Sequence, residues 1–216
     1  STIMDKYDPQ KRIALIVDEW GGWYNVEEGT NPGFLYQQNT MRDAMIAGTT
    51  LNIFNNHAER VRMANIAQTV NVLQAVILTK DEKMILTPTY HVMKMYNVHQ
   101  DATLLPLDIT SNATYEFEGK KLPAISASAS KDSNGAIHIS LVNIHATQSE
   151  SIDLNLRGTE NKSVTATILQ SSKLQDHNDF DNPNKIAPKE FKNVSLKNGK
   201  LTTTLPPFSV VVIEIK

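Results

Sequence analysis

The chain has 216 residues, 40% apolar and 20% charged, with 9 Gly and 9 Pro, an ordinary globular composition with material for more than one core. Its net charge is −2, which excludes a nucleic-acid binder working through a basic field. No apolar run approaches the roughly 18–20 residues of a membrane span, and the absence of cysteine excludes thiol catalysis, disulfide scaffolds and cysteine zinc sites. Neither nucleic acid nor membrane is therefore expected as a partner. The chain opens on Ser1 without a starting Met or a signal-peptide pattern, which points to a processed chain or a piece of a longer one and leaves the compartment open.

In chain order, Ile13, Ala14, Leu15, Ile16 and Val17 form a continuous apolar run, the pattern of a strand buried on both faces of a parallel sheet. A loop marked by Gly21, Gly22, Asn31, Pro32 and Gly33 follows. Met41, Ala44, Met45 and Gly48 recur at helical spacing, which predicts a helix that Gly48 closes. Leu51, Asn52, Ile53 and Phe54 then read as a second short strand. Met63, Ile66, Ala67, Val70 and Leu73 predict another helix, and Thr87-Pro88 opens a third with Thr as its cap. This is the alternating grammar of a parallel α/β fold.

Past residue 100 the period changes to two. Ile137, Ile139 and Leu141 alternate with His138 and Ser140. Ile152, Leu154 and Leu156 alternate with Asp153 and Asn155, and Val164, Ala166 and Ile168 repeat the pattern. Phe208, Ser209, Val210, Val211, Val212, Ile213, Glu214 and Ile215 end the chain as a strand. Turn signals stand between these segments at Asn134-Gly135, Arg157-Gly158, Asn198-Gly199 and Pro206-Pro207. Short alternating strands with few helices predict a β-sandwich or jelly roll. The boundary between the two grammars falls within 97–103, and no internal repeat is present.

The chemistry is concentrated at the end of the first strand. Asp18 and Glu19 follow Val17, and Trp20, Gly21, Gly22, Trp23 and Tyr24 come next, including both tryptophans of the chain. Active sites of parallel α/β folds lie at such C-terminal strand ends, and carboxylates among aromatics suit a sugar. Alternatively, the two acids mark the strand leaving the core for solvent. Adjacent strand residues point to opposite faces, so only one of the two faces a pocket. A retaining glycosidase needs its carboxyls about 5–5.5 Å apart, so the second must come from another strand.

Val17-Asp18-Glu19-Trp20-Gly21-Gly22-Trp23-Tyr24 resembles the nucleophile motif of the family 51 α-L-arabinofuranosidases, Asp-Glu-Trp followed by an aromatic pair. His57-Ala58-Glu59-Arg60-Val61 resembles the segment after that family's last barrel strand, and Ala64-Asn65-Ile66-Ala67-Gln68-Thr69-Val70-Asn71-Val72 the helix that follows it. Asn178-Asp179-Phe180-Asp181-Asn182-Pro183-Asn184-Lys185-Ile186 resembles a loop of its C-terminal domain. The motifs run in the family's order and cover most of the chain.

The resemblance implies an α/β plus all-β chain. Residues 1–97 would be the last two βα units of a TIM barrel, with Glu19 on the seventh strand and residues 51–54 as the eighth. Residues 98–216 would be a jelly-roll β-sandwich. It implies that Glu19 is the catalytic nucleophile, that Gln68 contacts substrate and that Trp23 lines the pocket. From its own sequence Gln68 reads as a solvated or helix-capping amide. The family's acid/base is the Glu of an Asn-Glu pair, a dipeptide this chain lacks, so the partner is expected outside it and the chain alone is expected to be inactive.

The implied reaction is retaining hydrolysis of terminal non-reducing α-L-arabinofuranosyl groups in arabinose-containing oligo- or polysaccharides, without a cofactor. Two other readings stand beside it: a non-catalytic carbohydrate-binding or structural sandwich module, and another retaining TIM-barrel glycosidase. Self-association through uncovered strand edges is a further expectation. No metal is expected. His57, His91, His99, His138, His145 and His177 lack the spacing of a zinc helix. Asp179, Asp181 and Glu190 mimic a calcium loop that Pro183 and Asn184 spoil. No nucleophile elbow, P-loop or dinucleotide fingerprint appears. Three glycosylation-type triplets begin at Asn112, Asn161 and Asn193, a pattern too common to use.

Overall fold

The computed structural model describes residues 1–109, 113–157 and 163–216. The glycosylation-type asparagines Asn112 and Asn161, and Gly158 of the expected Arg157-Gly158 turn, lie outside the described residues.

The first half carries helix α1 (Thr2–Tyr7), strand β1 (Leu15–Trp20), helix α2 (Met41–Asn56), strand β2 (Val61–Ile66), a hairpin of β3 (Ile77–Lys80) and β4 (Lys83–Leu86), and helix α3 (Pro88–Tyr96). Among the described residues the regular elements of the second half are strands: β5 (Thr103–Leu105), β6 (Thr114–Phe117), β7 (Lys120–Pro123), β8 (Ile125–Lys131), β9 (Ile137–Asn143), β10 (Glu150–Asn155), β11 (Val164–Gln170), β12 (Lys189–Glu190), β13 (Val194–Lys197), β14 (Lys200–Leu205) and β15 (Ser209–Ile215). The described residues are thus mostly β, and contain no closed barrel.

A six-stranded antiparallel sheet, ordered β12-β11-β15-β9-β8-β5, faces a three-stranded sheet, β10-β14-β13. Ile139, Leu141, Val211, Ile213 and Ile215 of the larger sheet pack on Ile152, Leu154, Leu201 and Leu205 of the smaller. The other face of the larger sheet is covered by α2 and α3, where Val142, Leu169, Val210 and Val212 meet Met41, Ala44, Met45, Val92, Met95 and Tyr96. Because β9 and β15 are covered on both faces, residues of both parities along them are buried. Asn198-Gly199 forms the expected turn between β13 and β14, with φ of 50° and 73°.

Leu51, Asn52, Ile53 and Phe54 are not a strand; they lie inside α2, which Gly48 does not end. Asn52, Asn55 and Asn56 recur at i, i+3 and i+4, which presents them together on one helical face. Asn52 Nδ2 donates to Ser126 Oγ (3.2 Å), Asn55 Nδ2 to Ser128 Oγ (3.1 Å) and Asn56 Nδ2 to the Ala127 carbonyl (2.9 Å). The small residues of β8 let the helix lie this close. Gly48 serves the same approach: a Cβ there would stand 2.9 Å from Val142 Cγ2 and 3.3 Å from Val210 Cγ2. We expect Gly48→Val to lower stability by about 1–3 kcal/mol through overpacking, read as a lower urea midpoint with an unchanged denaturant slope. An unchanged midpoint would show that the helix can ride up without cost.

The helix expected over residues 63–73 is likewise replaced. Val61–Ile66 is strand β2, parallel to β1 with Leu15 opposite Val61 and Trp20 opposite Ile66. The 3.6-residue spacing was coincidental: Met63 and Val70 are exposed while Ala67 and Leu73 are buried, so these residues share no helical face. Residues 57–60 therefore precede the second strand of the pair rather than follow it. Nor is the run at 13–17 buried on both faces. Among the described residues β1 pairs along one edge, and Ile13, Leu15 and Ile16 are exposed.

The N-terminal ends of β1 and β2 are held by one buried cation. The Arg60 guanidinium, 1% exposed, donates to Asp8 Oδ2 (2.7 Å), the Asp8 carbonyl (2.9 Å), the Ile13 carbonyl (2.9 Å) and Asp5 Oδ1. The backbone N–H of Ile13 donates to Asp8 Oδ2 (2.8 Å), so residues 1–13 are tied to the turn before β2.

Candidate functional site

At the opposite, C-terminal end of the same two strands, the register slips. Val17 pairs with Ala64 and Trp20 with Ile66, so three steps on β1 match two on β2. Such a bulge re-aims side chains, and the residues it frees are Asp18 and Glu19, both exposed. Trp20 turns back toward the helix layer, its ring edge-on to Phe54 with centroids 5.5 Å apart.

The loop of residues 21–39 leaves from here and is pinned at its base. Gln37 Nε2 donates to the Gly22 carbonyl (3.1 Å) and Gln37 Oε1 accepts from the Tyr24 N–H (2.9 Å). Glu27 accepts from the Gln38 N–H (2.7 Å), and the Glu27 N–H donates to the Tyr36 carbonyl (2.9 Å). Trp23 is 72% exposed and Phe34, beyond it, 69%. Tyr24 lies under the Arg42 guanidinium, 3.5 Å from the ring centroid, and burial pushes its phenol above the usual value.

The end of β2 adjoins. The Ala67 N–H donates to the Trp20 carbonyl (3.0 Å); the Ala67–Gln68 peptide is cis. The Gln68 N–H donates to the Leu73 carbonyl, and Gln68 itself is exposed. Glu19 and Gln68 thus stand at the same end of neighbouring parallel strands, with Trp23 on the loop leaving that end. Two cavities lie away from them on the sandwich. One, of about 320 Å³, is bordered by Ser151, Asp153, Lys192, Asn193 and Thr204. The other, of about 220 Å³, is bordered by Lys94, His138, Thr165 and Glu214.

Reading the sequence alone missed the groups that bind these loops together: Gln37, Arg42, Asp43 and Gln74. Asp43 is signalled as the third residue after the Thr40 cap, a capping-box position. Gln74 carries no sequence signal. Among the described residues no three His, Asp or Glu side chains come together as a metal-ligand set, and no helix is long and apolar enough to cross a membrane. In general a carboxylate can act as nucleophile or base, an amide can hydrogen-bond hydroxyls, and an indole can pack on the apolar face of a sugar ring.

Residues 18–209 match the family model described as the α-L-arabinofuranosidase C-terminal domain. The chain is 50% identical over 215 residues to an intracellular exo-α-L-arabinofuranosidase of Bacteroides ovatus, covering 100% of this chain and 42% of that protein. Among solved structures it is similar to the family 51 arabinofuranosidase of Xanthomonas axonopodis pv. citri, with TM-score 0.96, 45% identity, and coverage of 100% of this chain and 43% of the other. The α-L-arabinofuranosidase of Thermotoga maritima, solved with arabinose, shares the fold at 22% identity and TM-score 0.81, covering 99% of this chain and 45% of its own. The chain therefore spans less than half the length of these relatives.

Proposed function

The chain belongs to the α-L-arabinofuranosidase C-terminal domain family, and from that premise we propose that it is the C-terminal portion of a retaining, exo-acting α-L-arabinofuranosidase with Glu19 as nucleophile. The observation that carries this reading is the position of Glu19. It is exposed at a bulged, C-terminal strand end, one residue before a tryptophan that packs into the helix layer. In this reading β1, α2, β2 and the elements after them, through residue 97, are the last two βα units of a TIM barrel. Residues 98–216 are its jelly-roll sandwich.

Glu19 attacks the anomeric carbon of a terminal α-L-arabinofuranosyl group and forms a glycosyl-enzyme ester. A second carboxyl, from a part of the enzyme beyond this chain, protonates the departing oxygen and then activates the water that cleaves the ester. Two displacements at one carbon retain its configuration. Trp23 supplies an apolar wall for the sugar, and the Gln68 amide hydrogen-bonds its hydroxyls.

The test is the anomeric form of the first sugar released from an aryl α-L-arabinofuranoside by the longer polypeptide, followed by NMR before mutarotation. The α-anomer is expected, and the β-anomer would overturn the reading. The 216-residue chain by itself lacks the proton transfer that contributes ~10²–10⁴-fold and is expected to give no measurable release. Enzyme-like turnover by the isolated chain would place both carboxyls within it.

A further inference from the structure

Asp43 and Gln74 form a buried polar pair that the reaction does not use directly. Asp43 is 0% and Gln74 2% exposed, and Gln74 Nε2 donates to Asp43 Oδ1 (2.8 Å). The capping of α2 needs only the other oxygen: Asp43 Oδ2 accepts from the Thr40 N–H (2.8 Å) and from Arg42 Nη2 (3.1 Å). Oδ1 is left for a residue 31 positions away, on the loop that carries Gln68. Arg42 in turn covers Tyr24, next to Trp23.

The stem of Gln74 also fills the place beside Gly21. A Cβ on Gly21 would lie 2.4 Å from Gln74 Cγ, and Gly21 has a φ of +143° that side chains rarely adopt. Gln74 itself holds a left-handed φ of 52°, uncommon for a residue that is not glycine. One side chain therefore packs its stem beside the turn after Glu19, belongs to the loop after β2, and anchors its amide on the first turn of α2.

We infer that Gln74, held by Asp43, is a positioning residue: it sets the strand end bearing Glu19 against the loop bearing Gln68, and so fixes the nucleophile relative to the bound sugar. The inference rests on the reading of Glu19 and Gln68 proposed above. The loop around Trp23 is held separately by Gln37, through Gly22 and Tyr24, so a sugar still finds Trp23 when the strut is lost; the alignment of Glu19 with the anomeric carbon suffers first, and the loss falls mainly on kcat rather than KM.

The experiment uses the longer polypeptide and an aryl α-L-arabinofuranoside, with rates normalised to folded enzyme well below Tm. Gln74→Ala and Gln74→Glu are expected to lower kcat about 10–100-fold, as small misplacements of reacting groups do, with KM changed by less than about threefold. The double variant Asp43→Asn with Gln74→Glu keeps the total charge. It also rebuilds the bond with its direction reversed: the amide introduced at position 43 donates to the carboxylate introduced at position 74, while the amide oxygen still accepts from the Thr40 N–H. It is expected to recover most of the lost kcat, a coupling that independent sites would not show.

If both single variants fold and keep wild-type kcat while Glu19→Ala is inactive, the pair is a structural contact and the inference fails alone. If the single variants fail to fold, the double variant decides: a folded double variant with kcat still reduced overturns the inference, and restored kcat supports it. If Glu19→Ala retains the wild-type rate, the nucleophile reading fails and takes this inference with it.

Discussion

Replacing Glu19 by Ala in the longer polypeptide is expected to lower hydrolysis of an aryl α-L-arabinofuranoside on the order of 10⁴-fold or more, the scale on which removal of a covalent nucleophile acts. Glu19→Gly in the presence of azide is expected to recover product as an arabinofuranosyl azide of inverted configuration. The deleted side chain leaves room for a small anion on that face of the sugar, and a single displacement then inverts the carbon. The bulge between Val17 and Trp20 makes the comparison with Asp18 informative, because it frees two adjacent carboxylates from the ladder. Asp18→Asn is expected to keep its activity within about tenfold, the effect of a neighbour rather than a nucleophile. Loss of activity in Asp18→Ala with near-normal rate in Glu19→Ala would make Asp18 the reacting group.

The largest effect on stability is expected at Arg60. Replacing it by Met keeps the bulk of the stem and removes the guanidinium donors shared by Asp5, Asp8 and the carbonyls of Asp8 and Ile13, so that Asp8 keeps the Ile13 N–H but loses its buried countercharge. Breaking a buried ion pair from one side is strongly destabilising, and the expected fall in Tm is on the order of 10 °C. The acid dependence carries the same signature. The Ile13 N–H and then the Arg60 guanidinium hold Asp8 below the usual carboxylate range, and Arg60 does the same for Asp5. Groups depressed in this way contribute stability above their unfolded pKa and lose it as pH falls through the lowered folded value. The wild-type Tm should therefore drop on acidification through and below the ordinary carboxylate range, and Arg60→Met should show a shallower drop. A variant with unchanged Tm and parallel acid dependence would show the cluster to be energetically idle.

The sandwich was legible because its strands obey a period of two against one core: Ile152 and Leu154, or Ala166 and Ile168, need nothing beyond alternation to be placed. The Thr87-Pro88 helix start was legible for an equally local reason, since the Thr87 hydroxyl accepts from the Tyr90 N–H (3.4 Å). Residues 51–54 were not, because a short apolar run does not distinguish strand from helix. What decides it is the distant serine row of β8 that receives Asn52 and Asn55. Gly48 misled in the same way. A glycine near a helix end looks like a stop, yet this one answers to Val142 and Val210. At the candidate site, the carboxylates and aromatics at 18–24 stood out by composition alone. Gln74 could not, because its role depends on a left-handed backbone and on partners at positions 21 and 43.

The larger sheet is sealed on one side by its partner sheet and on the other by α2 and α3, and this bears on recombination between relatives. A crossover placed just after α3 would give the incoming sandwich a foreign pair of helices against Val142, Leu169, Val210 and Val212, with asparagines that do not match the serines of β8. Swaps that carry Thr40 through Ile215 together would keep that seam intact. The inheritable cassette is then the sandwich plus the two helices upstream of it, and chimeras cut on either side of those helices should differ sharply in soluble yield.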